Sequence, residues 1–303
     1  MQNNYMTSED PLDLERIRSI LIRLEDTIIF ALIERAQFSL NSKIYERGAF
    51  QELKDIGFDG SWLEWFLKET ESFQAKARRY TSPDEYPFTP ADQLPPPILS
   101  GNGIPKILFP NKINVNPSIY AFYTRSVVPR ITSQATLELA SVKRAKGIVG
   151  TSEYEDDGNY GSTATLDIEL LQAISKRVHY GKFVAESKFR SSPSTFIPHI
   201  LKPNPTALAE LITKPLVERA VLARLFKKAS LYGQDIGADG EPKRVPIIGE
   251  NNEYQKLWKL DVESVRELFE RWIIPLTKEV EVEYLLHRLD GLSQEQIDNL
   301  SKK

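Results

Sequence analysis

Apolar residues recur at helical spacing in several long segments of this chain. The first segment follows Asp10-Pro11, a capping residue and a proline suited to a first helical turn, and continues to about Phe38. Its apolar side chains lie three or four residues apart, on one face of a helix about 42 Å long. They are Leu14, Ile17, Leu21, Leu24 and Ile28. The pattern therefore predicts a long amphipathic helix near the start of the chain.

The same pattern predicts further helices downstream. Ser61 with Glu64 three residues later forms a capping box, which predicts a helix from Trp62 towards Arg78-Arg79. Other predicted helices begin at Asn116-Pro117, Gly161-Ser162, Asn204-Pro205, Thr213-Lys214-Pro215 and Asp261. The helices from Asn116 and Gly161 are expected to end near Ile131 and Phe189, and the segment from Thr213 at Gly233. The last helix is expected to continue to Leu289, with a kink at Pro275. Residues Glu279 to Glu283 alternate with period two, as a strand would, but helical patterns continue on both sides of them. The predicted fold class is therefore all-α.

Four segments lack a helical pattern. Residues 83–117 contain nine prolines, too many for a helix, and are expected to form an ordered loop that wraps around the helices. Residues 132–158 and 234–260 are expected to be inserted loops, and residues 291–303 a tail. We interpret residues 1–303 as a single domain, a bundle of long helices.

Composition excludes several classes of chemistry. The chain has no cysteine and three histidines at no metal-ligand spacing, so disulfides, thiolate catalysis and common zinc sites are not expected. A net charge of −3 argues against a nucleic-acid partner. The longest apolar run, Ile28 to Ile33, is too short to cross a membrane, and the first residues do not resemble an export signal. We therefore expect a cytoplasmic protein with no cofactor.

Polar side chains lie on helix faces that otherwise point towards the core. Arg18 shares the face of Leu14 and Leu21, and Arg177 and Lys188 are three helical turns apart. One interpretation is that such side chains reach solvent from the edges of apolar stripes, or form ordinary ion pairs. The other is a shared polar pocket with excess positive charge, because bundle cores admit charge where it is paired or functional. The residues concerned are Arg18, Arg177, Lys188, Glu218, Thr277 and Glu281.

Four segments of the chain closely resemble eukaryotic chorismate mutases of the allosteric, all-helical type. They are IRSILIRLEDTIIFALIERA (17–36), ARRYTSPDEYPF (77–88), YGSTATLDIELLQAISKRVHYGKFVAESKF (160–189) and PLTKEVEVEYLLHRL (275–289). The resemblance implies a homodimer with one active site in each helical subunit, where chorismate rearranges to prephenate without a cofactor. It also implies that Arg18, Arg177 and Lys188 are substrate-binding cations, and that the remaining polar contacts are Glu218, Thr277 and Glu281.

This assignment agrees with the chemistry of the reaction. Chorismate carries two carboxylates, which Arg18 and Arg177 can clamp, and positioning is what a unimolecular rearrangement needs. Negative charge develops on the ether oxygen as its C–O bond breaks, so Lys188 and a protonated Glu281 can stabilise the transition state by donating hydrogen bonds to it.

The resemblance also implies a regulatory site for an aromatic amino acid at the dimer interface, with tyrosine inhibiting and tryptophan activating. The residues that match it are Arg78, Arg79, Asn159, Gly161, Ser162 and Thr165. Cations, hydroxyls and the free N–H groups of a helix start are suited to binding an anion. The alternative interpretation is a surface arginine pair and an ordinary helix cap.

The chain departs from this family's pattern at two positions. Lys214 stands where asparagine is expected among the substrate contacts, and Asp261 stands where threonine is found at a hinge. Lys214 either supplies an additional cation to a substrate carboxylate or points to solvent. The rival function is a non-catalytic helical interaction protein. A metal-dependent prenyl-type synthase is disfavoured, since Asp156-Asp157 does not form its aspartate-rich motif.

Overall fold

The computed structural model describes residues 10–101, 104–246 and 254–302, which form a helical bundle with one short pair of strands. The first seven helices are α1 (Leu14–Ala36), α2 (Gln51–Asp55), α3 (Trp62–Lys76), α4 (Asn116–Phe122), α5 (Val128–Ile131), α6 (Ser133–Ala145) and α7 (Tyr160–His179). The next seven are α8 (Gly181–Ser191), α9 (Pro193–Leu201), α10 (Pro205–Ile212), α11 (Pro215–Tyr232), α12 (Val262–Leu268), α13 (Ile274–Leu286) and α14 (Gln294–Ser301). The predicted all-α class is confirmed.

The centre of the bundle is the packing of α1 against α7. Both helices place their apolar stripes in one large core, to which α3, α4, α5, α11, α12 and α13 also contribute. A second core lies between α8, α9, α10, α13 and α14. Among the described helices, none is both long and apolar enough to span a membrane.

A buried ion pair ties α1 to α7. Arg35 Nε donates to Asp167 Oδ1 at 2.7 Å, and neither side chain is exposed to solvent. Asp167 also accepts hydrogen bonds from the hydroxyls of Tyr123 at 2.7 Å and Tyr45 at 2.6 Å. The other guanidinium N–H groups donate to Tyr45 and to the carbonyl oxygens of residues 38–40. Complete pairing of this kind is what makes a buried charge tolerable.

Several helix boundaries differ from those predicted. The first helix begins at Leu14, because the Asp13 carboxylate accepts the Arg16 N–H at 2.8 Å and caps it, while Asp10-Pro11 form the preceding turn. The predicted Ser61 capping box is confirmed. Asn116 does not cap α4: its buried side chain accepts from Ser175 and donates to carbonyl groups of the proline-rich loop.

The expectation of a single helix from Gly161 to Phe189 was wrong. Tyr180 separates two helices, because α7 ends at His179 and α8 starts at Gly181. Helix α8 packs closely against α13. Helix α9 was also missed.

Three segments expected to be irregular contain regular structure. Residues 132–158 include α6, whose only buried side chain among the described residues is Ala140. Residues 234–260 include the antiparallel strands β1 (Arg244–Pro246) and β2 (Tyr254–Lys256). The tail from 291 includes α14, which starts with a capping box and buries Ile297 in the second core.

The last long helix contains a π-helical turn where a proline kink was predicted. Residues Phe269–Ile273 form this turn between α12 and α13, immediately before Pro275. Proline has no N–H to donate to the preceding turn, and wider helical turns occur where that ladder is interrupted. A second π-helical turn, Tyr123–Val127, precedes Pro129 in the same way, and Phe122 stacks on Trp272 at a ring distance of 5.0 Å.

We expect replacement of Arg35 by methionine to destabilise the protein by about 3–5 kcal/mol, because Asp167 is then a buried charge without a counter-ion. Guanidinium unfolding followed by circular dichroism measures the change. Arg266→Met, which removes an arginine from an exposed ion-pair cluster, should leave the midpoint nearly unchanged. Equal effects of the two substitutions would contradict a structural role for the buried pair.

Candidate active site

The six residues predicted to form a pocket line one cavity of about 310 Å³. Its walls come from α1, α7, α8, α11 and α13 and from the connection between α10 and α11. The lining includes six cationic side chains and three carboxylates, so the cavity has excess positive charge. Apolar side chains such as Leu21, Val184 and Val221 complete the wall. The structure therefore supports the shared pocket rather than separate solvated charges.

Arg177 lies at the buried side of the cavity. Its side chain is 7% exposed, and its Nη1 lies 3.5 Å from Thr277 Oγ1. The buried Nε has no hydrogen-bond partner among the described residues. Burial lowers the pKa of Arg177, and the nearby charges of Glu25 and Glu281 oppose this effect. A buried donor without a partner is costly.

Lys188 contributes a second cation from α8. Its ammonium group donates to the carbonyl oxygen of Ile212, at the end of α10. Burial lowers the pKa of Lys188; Lys214 and Arg18 act in the same direction, whereas Glu281 opposes it. The lysine is therefore partly desolvated, which strengthens any hydrogen bond that it donates to a ligand.

Glu281 is a buried carboxyl group with an altered acidity. It is 7% exposed, and burial raises its pKa from 4.5 to about 7, against the opposing charges of Lys188 and Arg177. A large fraction of Glu281 is therefore protonated near neutral pH, and a protonated carboxyl group can donate a hydrogen bond. Glu281 can therefore act as the protonated donor that the sequence predicted.

The remaining predicted residues take part in pairs within the chain. Glu218 forms an ion pair of 2.7 Å with Lys278, and about a third of each side chain is exposed. Arg18 lies at the cavity mouth, where it is 43% exposed and pairs with Glu15. Thr277 donates to the Ile273 carbonyl at 2.6 Å.

Several residues at the site were not predicted from the sequence. Arg224 binds the buried Glu25 with two hydrogen bonds of 2.9 and 2.7 Å, and Lys228 adds an ion pair at 3.2 Å. Arg224 follows Val221 by one helical turn, so the rule that identified Glu218 also applies to it. Gly181 was missed as well.

Gly181 allows α8 to approach α13 at the site. A Cβ atom at this position would lie 3.0 Å from Thr277 Cγ2 and 3.1 Å from Glu281 Cγ. Those contacts are tighter than ordinary van der Waals distances, so a larger residue would displace the two side chains. Glycine therefore sets the position of Thr277 and Glu281 in the cavity.

The residues predicted to bind an effector form two groups within one subunit. Arg78 and Arg79 line a cavity of about 460 Å³ together with Lys176, near the end of α7. Gly161 precedes Lys176 by fifteen residues on that helix, which is about 22 Å along the helix axis. With Asn159, Ser162 and Thr165 it forms an exposed surface at the start of α7. A single subunit does not bring the two groups together.

Each group has internal hydrogen bonds. Arg78 donates to the carbonyl oxygens of Ser100 and Gly101, and its backbone is held in the left-handed region at φ 67°. Arg79 donates to Glu85 at 3.0 Å, and Thr165 donates to the Gly161 carbonyl at 2.9 Å. The guanidinium groups are thus oriented before any ligand binds.

No cluster of three or more potential metal ligands of the His, Cys, Asp or Glu type occurs within the described ranges. The six cationic side chains that line the cavity can bind anions and donate hydrogen bonds, and they outnumber its three carboxylates. The site is accordingly built for positioning and electrostatic stabilisation of a charged organic molecule.

Comparison with known proteins gives a consistent result. The family model of chorismate mutase type II matches residues 159–282. Chorismate mutase 1, chloroplastic, of Arabidopsis thaliana is 42% identical over 93% of this chain and 76% of its own length. The chorismate mutase of Emericella nidulans is 43% identical over 94% of this chain and 95% of its own.

Two solved structures extend this likeness to the fold. Aro7p chorismate mutase from Candida albicans, in complex with L-Trp, superposes with a TM-score of 0.77 at 39% identity, covering 95% of this chain and 96% of its own. AtCM1 with tyrosine bound in its allosteric site has a TM-score of 0.72 at 40% identity, covering 93% and 99%.

Proposed function

The chain belongs to the chorismate mutase family, and on that premise we propose that its cavity binds chorismate and rearranges it to prephenate. One observation carries the proposal: the buried Glu281, with a pKa of about 7, lies beside Lys188 in a cavity with excess positive charge. Such a cavity attracts a dianion through its two carboxylates and offers two hydrogen-bond donors, Lys188 and Glu281, to a further oxygen of the same molecule.

Binding begins with the two substrate carboxylates. The buried Nε of Arg177 is an unsatisfied donor, and Arg18 at the mouth has an exposed guanidinium that can leave Glu15 for a ligand. Planar guanidinium groups bind carboxylates with two parallel hydrogen bonds, which fix orientation as well as position. Holding both carboxylates in this way places the enolpyruvyl arm over the ring.

The chemical step is the breaking of the C–O ether bond while a C–C bond forms at the other end of the arm. Negative charge develops on the ether oxygen, and donors aimed at it stabilise the transition state more than the ground state. Lys188 and protonated Glu281 are those donors. A bound dianion also favours the protonated form of Glu281, because like charge nearby raises the pKa of a carboxyl group.

The other residues of the cavity position these groups. Glu218, paired with Lys278, and Thr277 line the part of the cavity where the substrate hydroxyl would lie. Glu25 is held by Arg224 and opposes the loss of charge at Arg177. We also propose that residues 1–303 act as one catalytic domain without a cofactor.

We further propose that the protein is a homodimer regulated by tyrosine as inhibitor and tryptophan as activator. A second subunit could place its Gly161 surface against the cavity of Arg78 and Arg79, because within one subunit Gly161 lies about 22 Å along α7 from Lys176, which lines that cavity. Exposed apolar side chains near Arg78 support a subunit contact at this place: Phe73 is 73% exposed and Ile98 78%.

We predict that the protein is located in the cytoplasm. Several plant relatives are named as chloroplastic and the fungal relatives are not, so imaging of the tagged full-length chain is the test.

Purified protein should convert chorismate to prephenate, followed as loss of chorismate. Lys188→Met should lower kcat by about 10²–10³, because one donor to the ether oxygen is lost. Folding of the variant is checked by circular dichroism. A folded wild-type protein without turnover would favour the non-catalytic interaction protein instead.

The value of kcat/KM should fall as the pH rises through about 7, because Glu281 loses its proton and with it the hydrogen bond. Glu281→Gln keeps a neutral donor at every pH and should flatten this profile. Glu279→Gln, at an exposed position on the same helix, is the matched control and should keep the wild-type profile. A wild-type profile in Glu281→Gln would rule out this role.

Tyrosine should bind the wild-type protein in isothermal titration and bind the Arg78→Ala/Arg79→Ala variant at least tenfold more weakly, because both cations for its carboxylate are lost. Arg219→Ala/Arg271→Ala removes two exposed arginines elsewhere and should bind like the wild type. Equal affinity of all three proteins would show that tyrosine does not use this site.

A further inference from the structure

Helix α7 contributes one residue to each of two cavities, and the two residues are consecutive. Among the described residues, Lys176 is the one residue of α7 that lines the effector cavity, the cavity that contains Arg78 and Arg79. Arg177 is likewise the one described residue of α7 that lines the active cavity. Neighbouring residues of an α-helix project about 100° apart, so the two cavities lie on different sides of one helix. A movement of α7 at this point therefore reaches both cavities.

A single carboxylate joins Lys176 to an arginine of the effector cavity. Glu85 Oε2 accepts a hydrogen bond from Arg79 Nε at 3.0 Å, and its Oε1 accepts one from Lys176 Nζ at 2.7 Å. Lys176 also pairs with Asp84 at 2.9 Å. The side chains of Glu85 and Lys176 are each 15% exposed, so water screens this contact less than it screens a surface ion pair. Arg79, Glu85 and Lys176 thus form a bridge from the turn after α3 to α7.

The two ends of this bridge differ in how firmly they are held. Burial lowers the pKa of Lys176, but the charges of Asp84 and Glu85 raise it, and the net shift is upward, so the lysine stays charged. Arg79 is the more exposed end, at 31%, and within the described residues its guanidinium makes no hydrogen bond other than that to Glu85. An incoming carboxylate therefore competes with Glu85 for Arg79.

We propose that the bridge of Arg79, Glu85 and Lys176 transmits the binding of an effector to Arg177 in the active cavity. This role rests on the proposed regulation by aromatic amino acids and specifies how the bound effector acts. The effector carboxylate pairs with Arg79 and displaces Glu85, which then pairs with Lys176 alone. A carboxylate shared by two cations and a carboxylate held by one have different resting positions, so the turn of α7 that carries Lys176 and Arg177 moves with it.

The bridge supplies the two states that such coupling requires. In one state Glu85 occupies Arg79, and in the other Arg79 is open to a ligand. A ligand shifts an equilibrium only if it binds one state better, and an amino acid carboxylate binds Arg79 better once Glu85 has left. Tyrosine and tryptophan share this carboxylate. Both responses should therefore depend on the bridge, while the different side chains of the two effectors set the sign of the response.

The test compares Glu85→Gln with Glu263→Gln in the full-length protein. The first change removes the charge of the bridge and leaves Lys176 paired with Asp84. Glu263 is a partly exposed glutamate that pairs with Arg266 and lines neither cavity. In wild type and Glu263→Gln, saturating tyrosine should lower kcat/KM at least about fivefold. In Glu85→Gln it should change kcat/KM less than about twofold, and activation by tryptophan should be lost to the same extent.

The affinity for tyrosine separates lost transmission from lost binding. Glu85→Gln frees Arg79 from a competing carboxylate, so isothermal titration should give a tyrosine dissociation constant equal to or lower than that of the wild type. Lys176→Met leaves Glu85 paired with Arg79 alone, so tyrosine should bind about threefold more weakly, and the response should be lost here too. Lys176→Arg keeps a cation for Glu85 and should retain most of the response. Circular dichroism checks that each variant is folded.

Two results would overturn this role of the bridge. One is a wild-type response to both effectors in Glu85→Gln. The other is a response that disappears in Glu85→Gln together with tyrosine binding, because the residue would then only hold the effector cavity in shape.

Failure of the proposed function has a different signature, because no protein, wild type included, then turns over chorismate. Titration of tyrosine with and without saturating prephenate still tests the bridge in that case, since the coupling between two binding sites is reciprocal. Prephenate should change the tyrosine dissociation constant of the wild type and leave that of Glu85→Gln within about twofold. Equal constants in the wild type with and without prephenate would exclude transmission between the two cavities.

Discussion

The buried pair of Arg35 and Asp167 is the constraint on which the active cavity depends. It joins α1 to α7, and these two helices carry Arg18 and Arg177 to the cavity. A buried charge tolerates little displacement, because each lost hydrogen bond leaves a group that water cannot reach. The pair thereby fixes how far one helix can slide along the other, and with it the spacing of the two arginines.

Burial acts on the cavity residues in opposite directions. It lowers the pKa of Lys188 and raises that of Glu281, since in each case the charged form is disfavoured. The charge of each group also opposes the pKa shift of the other, so burial changes both pKa values less than it would change either group alone. The result is one cation and one neutral acid side by side, two donors that do not repel each other.

Sequence patterns predicted the cavity better than they predicted its surroundings. Arg18, Arg177 and Glu281 were recognised because a charge on an apolar helix face is unusual, and helical spacing is local information. Helix α6 was missed because its segment mixes basic residues with an acidic patch, a composition that favoured a loop, and in the fold it buries a single side chain, Ala140. The pairing of Glu25 with Arg224 joins residues 199 positions apart, which no local pattern contains. The distance between the two effector groups likewise depends on tertiary structure.

The π-helical turn before α13 imposes a condition on chain length. Each residue of an α-helix advances it by about 100° and 1.5 Å, and the wider turn at Phe269–Ile273 accommodates extra backbone within one continuous helix. Loss of a single residue there would restore regular α-helical bonding yet rotate Thr277 and Glu281 away from Arg177. Related chains can therefore vary in the loops by several residues, whereas between α12 and α13 the number of residues is as much a part of the active site as their identity.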